Sequence, residues 1–218
     1  MSQTKDRRDC GFTLIELLIV IGILGLLMAA LLPNLIGAGD AGNETATQAL
    51  FLDLRTGCEA FQRKNGYFPP DDLVPRDTKD EEAAKSVWKS DNGLNTGIES
   101  LVAFLAQGRD VGGDFGSSAE RFANHDKDDH GAVLPLLKVR ERKEIVDAWG
   151  TPLAYFSATT TSGGFDKAQQ IVAIDGQPQT VRARRGADGA YLGAGKYQFL
   201  SAGKDQLFGT DDDLVYPK

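Results

Sequence analysis

The sequence predicts an α+β protein in which one long N-terminal helix, apolar in its first half and amphipathic in its second, packs against a small antiparallel sheet. Three observations carry that prediction. Residues 12–32 hold a single charge, Glu16. Ala46, Leu50, Leu54, Cys58 and Phe61 then recur at spacings of three and four, which puts them on one helical face. Beyond residue 150, runs of β-prone residues alternate with Gly- and Asp-rich turns.

The apolar stretch comes first. Residues 12–32 as a helix measure roughly 31 Å, close to the ~30 Å hydrocarbon thickness of a bilayer. Lys5, Arg7 and Arg8 outweigh Asp6 and Asp9 ahead of it, so the N-terminus is expected to stay cytoplasmic and the rest to be exported. A secretory signal needs a small-residue cleavage site after the run, and Ala29-Ala30-Leu31 is a poor one. A lipoprotein cysteine also belongs after the run, whereas Cys10 precedes it. An uncleaved anchor explains the length and orientation but not Glu16, since a carboxylate inside a bilayer costs several kcal/mol and is normally kept for a partner.

The amphipathic half follows, and Asn65-Gly66 with Pro69-Pro70 provides a stop. One helix is therefore expected from about residue 12 to 64. Gly22, Gly25, Pro33, Gly37, Gly39 and Gly42 weaken it midway, or else serve small-residue helix packing in a membrane. Cys58 on the apolar face reads as a buried structural thiol. After Gly66, residues 77–90 read as a charged surface helix, and residues 97–106, with Ile98, Leu101, Val102 and Leu105, as an amphipathic helix. Residues 108–131 read as a loop or insertion. Strands are expected at 153–159, 171–174, 180–184 and 196–201, with turns at Asp175-Gly176 and 186–195. Trp149 is expected in the core, its indole requiring a backbone acceptor.

Composition narrows the function. The chain has 218 residues, 41% of them apolar and 25% charged, which suits one folded domain plus an extension. A net charge of −7 disfavours nucleic acid as a partner. The densest basic group, Arg182, Arg184 and Arg185, alternates as a solvated strand edge does. Two cysteines, Cys10 and Cys58, exclude a disulfide framework and a four-cysteine zinc site. The sequence has no Gly-x-Ser-x-Gly elbow, no P-loop, no Gly-x-Gly-x-x-Gly after a strand and no His-Glu-x-x-His, so no enzyme is expected. A membrane-anchored hydrolase or sensor stands as the rival class.

Gly11-Phe12-Thr13-Leu14-Ile15-Glu16-Leu17-Leu18 resembles the processing site of the type IV pilin superfamily. The resemblance implies that a prepilin peptidase cuts between Gly11 and Phe12 on the cytoplasmic side and methylates the new Phe12 amine. It divides the chain into a leader (1–11), a transmembrane or filament-core segment (12–36), an amphipathic continuation (37–65) and a periplasmic head (66–218). Pro33 falls where these helices commonly carry proline, and residues 25–33 are expected to lose helicity on assembly. Cys10 departs from the basic residue usual before the glycine. Glu16 then has a physical reason. The Phe12 α-amine, with a reference pKa of about 7.7–8.0, would be a buried cation in a helical bundle. Pairing it with Glu16 of the neighbouring subunit neutralises both charges, each strongly penalised alone.

Three segments of the head, Gly66-Tyr67-Phe68-Pro69, Gly97-Ile98-Glu99-Ser100-Leu101-Val102 and Asp147-Ala148-Trp149-Gly150-Thr151-Pro152, resemble the major pseudopilins of type II secretion, with Ala148 in place of a proline. That branch implies an inner-membrane protein polymerising into a periplasmic pseudopilus. Its partners would be copies of itself, minor pseudopilins, the prepilin peptidase and the inner-membrane secretion platform. A type IV pilus subunit is the alternative; it shares the N-terminus but commonly has a C-terminal disulfide loop, and residues 66–218 contain no cysteine.

The best metal candidate is the loop over 200–213, where Asp205, Asp211, Asp212 and Asp213 crowd together with Gly203 and Gly209. Such hard oxygen ligands favour calcium. Pseudopilins carry a calcium loop here, which implies ligation by those aspartates and by the carbonyls of Leu200 and Ser201; a solvated acidic turn is the alternative. In a second cluster, Asp126, Asp128, His130 and Gly131 match EF-hand positions one, three, five and six. Position twelve is Leu137, where a bidentate Glu belongs. The cluster is therefore read as a solvated loop, ahead of a second calcium site or a histidine-ligated metal.

Overall fold

A computed structural model describes residues 13–74, 91–106, 120–129, 138–159 and 164–218, and over 31–38 the backbone alone. Gly11, Phe12, the helix expected at 77–90 and most of the 108–131 insertion lie outside the described residues. The chain divides into two compact units between Gly42 and Asn43.

Helix α1 spans Leu14–Asn65, matching the expected helix within two residues. Its end follows from sequence: Gly66 takes φ 82°, its N–H donates to the Gln62 carbonyl at 2.8 Å, and Asn65 Nδ2 donates to the Phe61 carbonyl at 2.9 Å. A left-handed C-terminal residue of this kind satisfies carbonyls that the last turn leaves open.

In the first unit the apolar side chains of α1 face outward, with Leu14 82% and Leu26 74% exposed. Among the described residues no helix is long and apolar enough to cross a membrane. The span expected over 12–32 reaches beyond the described side chains at both ends.

The second unit is α+β. Helix α2 is Thr96–Leu105. The strands are β1 Phe122–Ala123, β2 Glu144–Ile145, β3 Ala154–Ser157, β4 Gln169–Val172, β5 Pro178–Val181, β6 Tyr197–Ser201 and β7 Leu214–Tyr216. In place of one small sheet there are, among the described residues, three antiparallel ones: β1-β2, β3-β6-β7 and β4-β5. In the central sheet Tyr155 faces Phe199 and Ser201 faces Leu214. The four expected strands are present, each with slightly different bounds. Strands β1, β2 and β7 were not anticipated, being two or three residues long and too short to display an alternating pattern.

The core forms where the predicted face of α1 meets α2 and the central sheet. Leu50, Leu54, Cys58 and Phe61 are buried with Ile98, Leu101, Val102, Leu105, Tyr155 and Phe199. Phe51 stacks on Phe199 at 5.9 Å and Tyr155 on Phe199 at 5.4 Å, contacts worth about 0.5–1.5 kcal/mol beyond area burial. Burial pushes the Cys58 thiol well above its ordinary range, as an inert structural thiol requires. Helix α2 is buried from Gly97 to Leu105 rather than on one face, because α1, β2, β3 and β4 enclose it. Gly97 permits this approach: a Cβ there would lie 2.4 Å from the Tyr155 carbonyl oxygen and 2.3 Å from Gln169 Oε1.

Candidate functional site

At the start of α1, the Thr13 N–H and hydroxyl both donate to Glu16 Oε2, at 2.9 and 2.8 Å. The Glu16 N–H approaches Thr13 Oγ1 at 3.3 Å in return. This is a capping box, in which Ser/Thr and a Glu three residues later satisfy each other's free amides. The sequence argument gave Glu16 an intermolecular role and missed this intramolecular one, although Thr13-x-x-Glu16 before an apolar run is its recognised pattern. The carboxylate is thus oriented within a single chain through one oxygen, and Oε1 takes no part in the cap.

The segment 147–152 forms a tight turn. Asp147 Oδ1 accepts the N–H groups of Trp149 and Thr151, each at 2.9 Å. Oδ2 accepts the Ser201 hydroxyl at 2.6 Å, and the Ala148 N–H donates to Thr47 Oγ1 of α1 at 3.1 Å. Burial raises the Asp147 pKa, and the Ser201 and backbone hydrogen bonds oppose that rise. This turn therefore ties α1 to the end of β6. Trp149 is half-buried rather than in the core, since a side chain carried on so tight a turn is only partly enclosed. Its indole N–H finds no acceptor among the described residues.

The 200–213 loop joins β6 to β7. Gly203 lies against Asp212, where a Cβ would stand 2.3 Å from the carbonyl oxygen. The Asp205 N–H donates to Asp212 Oδ2 at 3.0 Å, and the Thr210 hydroxyl to Asp212 Oδ1 at 2.6 Å. The Thr210 hydroxyl is the main reason that the Asp212 pKa is lowered. Asp213 Oδ2 pairs with Arg184 and accepts the Gly209 N–H at 2.9 Å. Asp211 is exposed. Leu200 and Ser201 are buried at the end of β6. The loop brings Asp205 and Asp212 together, while Asp213 turns to Arg184 and leaves only Oδ1 buried without a hydrogen-bond partner.

The second acidic cluster departs from its solvated-loop reading. Asp126 and Asp128 meet Glu99, on the otherwise apolar α2, and Glu144 of β2. Glu99 and Glu144 are 1% and 0% exposed. Burial first, and then the charges of Asp128, Asp126 and Glu144, drive the Glu99 pKa far upward against the opposing effect of Arg142. Sequence reasoning missed Glu99, Asp91 and Glu144. The one available signal was an acid inside the helix Thr96–Leu105, at a position that the neighbouring apolar residues mark as buried.

Comparison with known proteins finds a family model and several similar proteins. Residues 6–32 match the prokaryotic N-terminal methylation motif. The chain is 45% identical over 62 residues to the type IV wide pilus major component PilA4 of Thermus thermophilus, covering 28% of this chain and 47% of that protein. It is 29% identical over 82 residues to the type II secretion system core protein G of Vibrio cholerae, covering 35% and 56%. With the core protein G of Aeromonas hydrophila the identity is 32% over 65 residues, covering 30% and 46%. The chain thus spans about half the length of the curated relatives it matches. No solved structure matches it. The chain thus carries an N-terminal methylation motif over residues 6–32 and is similar to a type IV pilus component and to type II secretion core proteins G.

Proposed function

We propose that the chain is a pseudopilin: a structural, non-enzymatic subunit that is cut after Gly11, leaves the inner membrane and polymerises into a periplasmic filament serving type II secretion. The observation that carries the reading is the methylation motif over 6–32 on a helix whose apolar side chains from Leu14 to Met28 are exposed in the single chain. Apolar surface of that extent needs lipid before assembly and neighbouring helices after it. The Phe12 amine released by cleavage would pair with Glu16 of an adjacent subunit. The Thr13 cap supports this, because it holds the carboxylate through Oε2 and spares Oε1 for a second donor.

The match to a pilus major component favours a second reading, a type IV pilus subunit with the same N-terminal chemistry. Deleting the gene separates the two. Loss of secreted folded proteins with surface filaments intact is the pseudopilin outcome, and loss of surface filaments is the pilus outcome. Within either, Glu16→Ala should be cleaved normally and lose most filament assembly, read by N-terminal mass spectrometry and by cross-linked oligomers. Normal assembly of that variant removes the charge-pairing mechanism, and an intact Met1 on the purified native protein returns the chain to the anchored-domain class.

For the 200–213 loop the proposal is a structural calcium ion held by Asp205, Asp212 and Asp213 with the Leu200 and Ser201 carbonyls. It is supported by the close approach of Gly203 to Asp212 and by the buried, unpartnered Asp213 Oδ1.

A further inference from the structure

We propose that Asp91, Glu99, Asp126, Asp128 and Glu144 form a second, buried site for one divalent cation of the calcium class, independent of the filament reading and of the C-terminal loop. Ligating oxygens of Asp91, Glu99 and Asp128 lie within 4.8 Å of one another, and so do those of Glu99, Asp126 and Glu144. Separations of that size fit within the diameter of a calcium coordination sphere, about twice 2.4 Å. Glu99 belongs to both groups and is the hub.

The scaffold holds one oxygen of each surrounding carboxylate and leaves the other. Asp91 Oδ2 accepts the Thr96 hydroxyl at 2.8 Å, and Asp126 Oδ2 accepts Asn92 Nδ2 at 3.0 Å. Glu144 Oε1 accepts Asn95 Nδ2 and the His125 N–H, each at 2.9 Å. Asp128 Oδ2 faces Arg142 Nε at 3.0 Å. The remaining oxygens, Asp91 Oδ1, Asp126 Oδ1, Asp128 Oδ1, Glu144 Oε2 and both of Glu99, are buried with no hydrogen-bond partner among the described residues, and Asp128 Oδ2 has its ion pair with Arg142 but no hydrogen bond. Carboxylates whose outer oxygens are fixed while the inner ones point at nothing are what an oriented ligand set requires. Glu99 is 1% exposed, so water does not supply the missing partner from bulk.

Arg142 alone cannot settle the charge. It is fully buried and meets Asp128 through Nε, while Nη1 and Nη2 have no acceptor among the described residues. One guanidinium faces five carboxylates, and an uncompensated buried charge is strongly destabilising. His125 Nδ1 is also without a partner but lies outside the grouped atoms, so the donor set is all oxygen and favours a hard cation over zinc or copper. A bound ion would fasten β1 and β2 to α2.

The test uses the full-length chain in detergent, stripped with EGTA and titrated with calcium chloride by equilibrium dialysis. An Asp205→Asn/Asp212→Asn variant should still bind calcium. Adding Glu99→Gln and Asp128→Asn should then weaken that binding at least 30-fold. Should the combined variant fail to fold, Asp126→Asn alone decides, with an expected loss of about tenfold. In the Asp205→Asn/Asp212→Asn background, calcium should also slow amide exchange at Ile145 and Ala123 at least tenfold. Calcium uptake that the Glu99, Asp128 and Asp126 variants leave unchanged overturns the site. So does uptake abolished by Asp205→Asn/Asp212→Asn alone, or no uptake by the parent protein.

Discussion

Two acidic regions of the head, one conspicuous in the sequence and one dispersed, end in opposite electrostatic states. The 200–213 loop gathers four aspartates within a few residues, and half of their oxygens are answered locally by backbone N–H groups, Thr210 and Arg184. The Glu99 cluster draws its acids from four separate segments and leaves seven carboxylate oxygens buried without hydrogen bonds among the described residues. Charge density along the chain is therefore a poor guide to unsatisfied charge in space. Glycine-rich loops offer their own amides to nearby carboxylates, whereas a helix and strand whose amides are already paired offer none.

Variants rank the contrast. Gly97→Ala has the largest expected effect, because the new Cβ meets the Tyr155 carbonyl and Gln169 and pushes α2, with Glu99, away from β3. Overpacking against backbone should cost about 3 kcal/mol in urea denaturation. Asp147→Ala removes a buried carboxylate that is fully used and should cost about 2 kcal/mol, read as a lower urea midpoint. Glu99→Gln removes a buried carboxylate that is not used. In EGTA it should raise stability by about 1 kcal/mol, and in calcium the sign should reverse, both read from Tm. The smallest effect belongs to Asp211→Asn: this exposed side chain should shift stability by about 0.5 kcal/mol or less. If Glu99→Gln is as destabilising in EGTA as Asp147→Ala, the contrast between used and unused carboxylates fails.

Much of the fold was legible. The face of Leu50, Leu54, Cys58 and Phe61 is the core face, and Asn65-Gly66 does end α1, since helical periodicity and stop signals are read within a few residues. The capping role of Thr13 was equally local and could have been read from Thr-x-x-Glu. The two-residue strands carry no period, and α2 looks amphipathic until four elements surround it. Trp149 shows the limit from the other side: a large aromatic in a tight turn is half-exposed for geometric reasons that hydrophobicity does not report.

The sequence by itself determined the long helix, its stop, the methylation motif around Glu16 and the apolar face on which the head folds, because each rests on neighbours one to four residues apart. Only the tertiary structure decided which carboxylates meet. Asn95 and Glu144, 49 positions apart, are joined by a hydrogen bond at 2.9 Å, and Glu99 is brought against Asp126, Asp128 and Glu144 from later segments. Desolvation and charge proximity depend on distance in space, and the order of residues along a chain does not encode that distance directly.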